Sequence, residues 1–154
     1  MTTLAQGYAD PFTPAEFQRL AEIGFVAAGK GWLAQASQVF GALIDIAPHR
    51  TLPHIGLALA LLNGGKPEEA LRVLERAEKI VSNSETPASE AELSDRRDDS
   101  ALIQAFYGVA LKLAGHTTES FRILEGLSGR PSHDRAGRIA RSMLGMVQIG
   151  RAHV

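Results

Sequence analysis

Apolar residues recur along most of the chain at the three- and four-residue spacing of amphipathic helices, and glycine or proline interrupts each run. The sequence TPAE at 13–16 supplies an N-cap threonine, a proline at the first helical position and a glutamate three residues after the cap, which predicts a helix start. Gly31 ends that run, and a second run continues until Pro48. These features predict a helical hairpin over residues 14–47.

Two further pairs of apolar runs follow with the same punctuation. A proline opens each run of the second pair and Gly65 separates them, so a second hairpin is predicted over 52–81. The third pair predicts a hairpin over 101–127 with its turn at Gly115. A last apolar stripe predicts a C-terminal helix over 133–148.

The segments around these helices are polar or lack a clear period. Residues 82–100 are polar, acidic and almost free of large apolar side chains, which predicts an exposed loop. Ser132 is the expected N-cap of the last helix. Residues 1–12 are interpreted as a flexible leader and 149–154 as a tail, so that a single domain occupies 13–148.

Small and large residues recur in register from one hairpin to the next. In the first hairpin Gly24, Ala36 and Phe40 occupy the small, small and large positions of the tetratricopeptide pattern, and Pro48 occupies its exit. The corresponding residues are Ala58, Ala70 and Leu74 after a shift of 34, and Gly108, Ser120 and Leu124 after a further shift of 50. The chain thus resembles tetratricopeptide-repeat proteins, which implies an all-α fold of three hairpins in a right-handed superhelix plus a C-terminal helix. The alternative is three unrelated hairpins in an irregular bundle.

The resemblance also implies a binding surface, because the first helices of successive tetratricopeptide hairpins line a concave groove. Members of the family that grip acidic peptide tails carry Lys, Arg and Asn in the groove-facing positions, whereas here these positions are mostly apolar. The expected partner is therefore a polypeptide with an apolar or amphipathic segment. The alternative is that these side chains are core, covered by the leader or by the last helix. The predicted groove residues are Phe25, Leu52, Ile55, Leu59, Leu62, Leu102 and Val109.

Among tetratricopeptide proteins, the chain looks most like the small chaperones of bacterial type III secretion. The resembling stretches are AEIGFVAAGKGWLAQASQVFGALIDIAP, LALALLNGGKPEEALRVLERA and, more faintly, FYGVALKLAGHTTESFRILEGL. The resemblance implies a bacterial cytoplasmic chaperone that holds a needle or translocator subunit, with a small co-chaperone as a further partner. A general tetratricopeptide scaffold that joins folded proteins is the alternative, and a homo-oligomer is left open.

Composition narrows the classes of function. The formal net charge of -1 provides no overall field for nucleic acid or an anionic membrane, although the region from Arg122 onward is basic. Cysteine is absent, which excludes disulfides and thiolate chemistry. No apolar run approaches the length of a membrane span and the first residues lack a secretory signal pattern, so a cytoplasmic location without membrane insertion is expected.

The sequence contains no recognisable catalytic or metal-binding pattern, so neither an enzyme nor a cofactor or metal is expected. The five histidines lack the i, i+4 spacing of paired metal ligands, and the Gly-Lys segments follow no strand and do not match a phosphate loop. Arg135, Arg138 and Arg141 recur every three residues, and a solvated helix face is the favoured interpretation. Nucleic-acid binding through this face is the third and least favoured function.

Overall fold

The computed structural model describes residues 12–83 and 89–152, with side chains described throughout except at positions 92, 95 and 146–152. Seven α-helices and no strands are found in this part of the chain, so the all-α prediction is confirmed. The predicted leader lies outside the described residues up to position 11. The helices are α1 (Pro14–Gly29), α2 (Leu33–Ile46), α3 (Leu52–Asn63), α4 (Pro67–Asn83), α5 (Glu90–Leu113), α6 (Thr117–Ser128) and α7 (Arg135–Ala152).

The turns that follow α1, α3 and α5 share one hydrogen-bonded geometry. Each contains a glycine with a left-handed backbone, Gly31 and Gly65 at φ 75° and Gly115 at φ 94°. The glycine N–H donates to the carbonyl three residues earlier at 3.1 Å, and the next N–H donates to the carbonyl five residues earlier at 2.8 or 2.9 Å. This Schellman arrangement satisfies the last helical carbonyls and requires a residue without a Cβ penalty. The three turns stand 34 and 50 residues apart, as the repeated pattern does.

Close contacts between helices depend on small residues facing large ones. The Phe40 ring is fully buried between α1 and α3, where a Cβ added at Gly24 or Gly56 would lie 2.7 or 2.2 Å from it. In the third hairpin a Cβ at Gly108 would lie 2.8 Å from Leu124. The glycines therefore set how closely the helices approach, because packed side chains leave no room for an additional carbon.

The helices form two layers. Each helix packs against the next, and in addition α1 packs on α3, α3 on α5 and α5 on α7. Within the described part of the chain, α2 does not contact α4 and α4 does not contact α6. Helices α1, α3, α5 and α7 thus make a continuous layer, and α2, α4 and α6 each pack on it from the other side.

The prediction of a loop over 82–100 is wrong from residue 90 onward and at 82–83. Helix α4 extends to Asn83, and α5 begins at Glu90, while residues 84–88 lie outside the described part. Six of the eight residues over 90–97 are Glu, Ala, Leu or Arg, which favour helix. This stretch also continues from the buried second half of α5, which has already met the free-energy cost of helix nucleation. A solvated helix needs no wide apolar face under these conditions.

The last helix also differs from its predicted bounds. It runs from Arg135 to Ala152, so the predicted tail is wrong over 149–152, where no proline interrupts the helical pattern. Its N-cap is Asp134 rather than Ser132, because the Asp134 Oδ2 atom accepts a hydrogen bond from the Gly137 N–H at 2.8 Å.

Candidate binding groove

An apolar cavity of about 670 Å³ lies on the layer formed by α1, α3, α5 and α7. All four helices contribute side chains to its wall, and α1 and α7 make no contact with each other in the described structure. The cavity is therefore a groove with α1 on one side, α7 on the other, and α3 and α5 as its floor. Its lining residues are Gln18, Phe25, Leu52, Ile55, Leu102, Phe106, Arg135, Arg138, Ile139, Ser142 and Met143.

Four of the seven predicted groove residues meet in this cavity. Phe25 comes from α1, Leu52 and Ile55 from the first turns of α3, and Leu102 from α5. Ile55 is almost completely buried, so its side chain belongs to the core and to the groove floor together. The other three are half-buried and retain accessible surface.

The remaining three predicted residues do not line the cavity. Leu62 is buried in the core around α3 and α4. Leu59 packs against the cluster that contains Phe40, and Val109 packs against the α3–α5 cluster. Because α3 is apolar around most of its circumference, its second half is enclosed by neighbouring helices and only its first half meets the groove.

Phe25 is held in place by the core behind it. Its ring meets the Phe40 ring edge-to-face, with centroids 5.0 Å apart and planes at 71°. This arrangement is favourable for aromatic quadrupoles and restricts the Phe25 rotamer. The side chain therefore presents a preformed apolar surface to the groove.

The groove has three further apolar lining residues that were not predicted, Phe106, Ile139 and Met143. Phe106 lies one turn after Leu102 on α5, and Met143 lies one turn after Ile139 on α7, so each pair shares a helix face. The i, i+4 spacing was visible in the sequence. The position of α7 as a groove wall is a tertiary feature. It agrees in part with the alternative in which the last helix covers the apolar side chains.

The arginines near α7 have two different environments. Arg130 bonds Asp134 at 2.7 Å (Nε to Oδ2) and Asp98 at 3.2 Å (Nη2 to Oδ1), and Arg141 Nη1 donates to the carbonyls of residues 128 and 130 at 3.0 and 2.8 Å. The Arg130 guanidinium and the Gly137 N–H lower the pKa of Asp134 to about 2. Arg135 and Arg138 instead project exposed side chains along the groove.

A second, polar cavity of about 1000 Å³ adjoins the apolar one and shares Gln18, Leu102 and Arg135 with it. Its other lining residues include both acids and bases near the first half of α5 and the α6–α7 connection. The groove therefore passes from an apolar region to a charged one. Charged residues of the second cavity are Arg50, Asp98, Asp99, Arg130, Asp134 and Arg135.

Among the residues with described side chains, the most deeply buried titratable group lies away from the groove lining. His54 is buried on α3, with its Nε2 atom 3.4 Å from the Pro48 carbonyl, and burial lowers its pKa below the usual value. No cluster of His, Asp and Glu that could hold a metal ion is found among the described residues. None of the helices in the described part has the length and apolar character needed to cross a membrane. The groove as described offers shape, apolar surface and two cationic groups.

No protein-family model, curated protein or solved structure matches this chain.

Proposed function

We propose that this chain binds an apolar segment of another polypeptide in the groove between α1 and α7. The single observation that carries the proposal is the open apolar cavity of about 670 Å³ whose floor is anchored in the core. Exposed apolar concavities of this kind are costly to leave in water and are typical of protein-binding sites. In its more specific form, the protein is a bacterial cytoplasmic chaperone for a type III secretion needle or translocator subunit, as its sequence resemblance implies.

The tetratricopeptide interpretation on which this depends is supported by three repeated features. The positive-φ glycines recur at the repeat spacing with identical hydrogen bonds. Small residues face large ones in the first and third hairpins. The first helices of the hairpins pack on one another, as expected for stacked repeats.

A partner would gain affinity mainly from apolar burial. Each partner side chain of the size of Leu or Phe that enters the groove contributes about 1.5–3 kcal/mol. Because contact with Phe40 already holds the Phe25 ring in place, binding costs less conformational entropy there than at a mobile surface. A chaperone of this kind needs no catalytic group and no cofactor, since it acts by keeping an aggregation-prone surface covered.

A scaffold that joins folded proteins is the second candidate, and an exposed apolar surface outside the groove favours it. Ile23 and Val26 on α1 are each 58% exposed, and Trp32 in the following turn is 52% exposed. The Lys30 ammonium lies 4.9 Å from the centre of the Trp32 ring. Two separate surfaces would allow two folded partners to bind at once.

Copurification from the source organism with matched variants tests the proposal. Leu102→Glu places a charge in the groove, whereas Leu113→Glu places one at a 56% exposed position at the end of the same helix. We expect Leu102→Glu to abolish capture of one small secreted protein and Leu113→Glu to leave it intact, with equal helical circular dichroism for both. Capture that survives Leu102→Glu contradicts the groove. If the chain captures folded proteins, and Trp32→Ala rather than Leu102→Glu abolishes that capture, the result favours the scaffold.

A further inference from the structure

Four arginines with described side chains lie on α7 or just before it, and the fold uses two of them. Arg130 and Arg141 hold the α6–α7 connection through the ion pairs and hydrogen bonds described above. Across residues 12–83 and 89–152, Arg135 and Arg138 make neither an ion pair nor a side-chain hydrogen bond. Both side chains line the apolar groove.

The two unused arginines share one face of α7. They are three residues apart, which separates them by about 4.5 Å along the helix axis. Ile139 and Met143 on the same helix bring apolar surface to the cavity beside them. One wall of the groove is thus cationic at its edge and apolar towards its floor.

None of the residues that line the cavity from the opposite side is charged. Helix α1 contributes Gln18 and Phe25 to the cavity, and α3 and α5 contribute only apolar side chains. Within the apolar cavity, a ligand therefore meets charged lining residues along the α7 edge only, and both are positive. Complementarity requires a ligand with an apolar face and negative charge along one border of that face.

We propose that the groove selects an amphipathic helix whose apolar stripe is bordered on one side by carboxylates about one turn apart, which pair with Arg135 and Arg138. The inference rests on the proposed function and names the chemistry of the partner segment. Carboxylates at i and i+3 or i+4 of a docked helix have the same residue spacing as, or one residue more than, Arg135 and Arg138 on α7. Guanidinium groups also match carboxylates with two parallel hydrogen bonds, which adds selectivity to attraction.

A nucleic acid fits the same surface less well. A phosphate backbone is charged along both sides of its path, whereas α1 offers only a neutral amide and a phenyl ring to the groove. Placing phosphates against the apolar floor would also remove their hydration without supplying hydrogen bonds or charges to replace it. The observations therefore favour a polypeptide.

Two synthetic helix-forming peptides test the selectivity. They share one leucine stripe, and the border of that stripe carries Glu in one peptide and Lys in the other. By fluorescence anisotropy at low salt, we expect the Glu peptide to bind at least about tenfold more tightly than the Lys peptide. The difference should narrow at high salt, because the arginines are exposed and their charges are screened.

Charge reversal supplies the matched variants. The double variant Arg135→Glu with Arg138→Glu should reverse the preference between the peptides. The control is Arg72→Glu with Arg122→Glu, which makes the same charge change at exposed positions on α4 and α6 away from the groove lining. The control variant should keep the preference of the unmodified protein.

The inference is overturned if both peptides bind equally and their binding is lost in Leu102→Glu but unchanged in the Arg135/Arg138 variant. That result would leave the proposed function standing. Failure of the unmodified protein to bind either peptide also overturns it, while the copurification experiment still decides the proposed function on its own. Binding of a single-stranded oligonucleotide that depends on Arg135 and Arg138 would assign the arginines to nucleic acid. If, without peptide, the double variant has a lower sedimentation coefficient than the unmodified protein, the occupant of the groove is a second copy of the chain. Either this result or arginine-dependent oligonucleotide binding overturns the inference.

Discussion

The first two hairpins and the region from α5 to α7 are held together by different interactions. Around α1 to α3, the Phe40 ring fills the space between two glycines, so stability there depends on shape. Around α5 to α7, Arg130 links Asp98 to Asp134, and the buried Ser120 hydroxyl donates to the Gly108 carbonyl at 2.6 Å. Apolar packing thus predominates between the closely spaced first hairpins, whereas α5 and α7 are joined by these charged groups as well as by the small apolar cluster of Ala101, Ala105 and Ala136. The candidate groove spans both regions.

The largest expected effect removes the packing centre of the first region. Phe40→Ala should lower the free energy of unfolding by about 3–5 kcal/mol, because a fully buried ring is replaced by a cavity. Urea unfolding followed by circular dichroism measures the change. Phe121→Ala, at a 45% exposed position, is the control and should cost less than about 1 kcal/mol. Equal losses for the two variants would contradict the assignment of Phe40 as the packing centre.

A second prediction concerns how closely the helices approach in the same region. Gly56→Ala should destabilise by about 1–3 kcal/mol, because its Cβ would lie 2.2 Å from the Phe40 ring. Gly126→Ala on α6 adds the same atom where no other heavy atom lies within 4 Å, and should stabilise by about 0.5–1 kcal/mol. Thermal unfolding of both variants shows whether each substitution raises or lowers stability. A stabilising Gly56→Ala would show that the α2–α3 contact is loosely packed.

A third prediction tests the role of charge in the second region. The pKa of Asp134 is lowered to about 2 from 3.8, so its contribution is fully present above about pH 4 and is lost as pH falls towards 2. Asp134→Asn keeps a capping side chain but loses the charge, and should cost about 1 kcal/mol at pH 7. The difference from the unmodified protein should disappear near pH 2. The measurement is unfolding of each variant across this pH range. Asp45→Asn, at an exposed position, is the control.

The smallest expected effect again concerns the first region. Burial lowers the pKa of His54 below 6.5, so the unfolded chain binds a proton more readily than the folded chain in that range. Stability should therefore fall as pH drops from 7 towards 5, and His54→Gln should reduce this slope. His49→Gln, on an exposed residue, should leave the slope unchanged. An unaltered slope in His54→Gln would mean that another group titrates.

Local features of the chain were readable from the sequence for specific reasons. The capping box at Thr13 and Glu16 is present in the structure, since both of its hydrogen bonds join residues three apart. The breaks read at Gly31, Gly65 and Gly115 coincide with turns that need a left-handed residue. Such features depend on neighbours in sequence, and so the chain itself specifies them.

In the polar segment, local composition did not predict the helix that forms from Glu90 onward. Composition indicated a loop over 82–100, but the helix from Glu90 continues into a buried half and is joined to distant residues. The Asp98–Arg130 ion pair and the hydrogen bond from Thr51 to Asp99 at 3.1 Å link positions far apart in sequence. No local pattern contains such pairs.

The helical class, the positions of the glycine turns and the small residues that allow close packing follow from periodicity and backbone sterics, so they could be predicted from the residues alone. Which apolar residues of α3 enter the core and which meet the groove depends on the helices that surround it, so the tertiary structure was needed to assign them. It also decided that α7 forms a groove wall and that Arg135 and Arg138, unlike Arg130 and Arg141, face that groove. These outcomes depend on the relative placement of whole helices, which spacing along one chain does not encode locally.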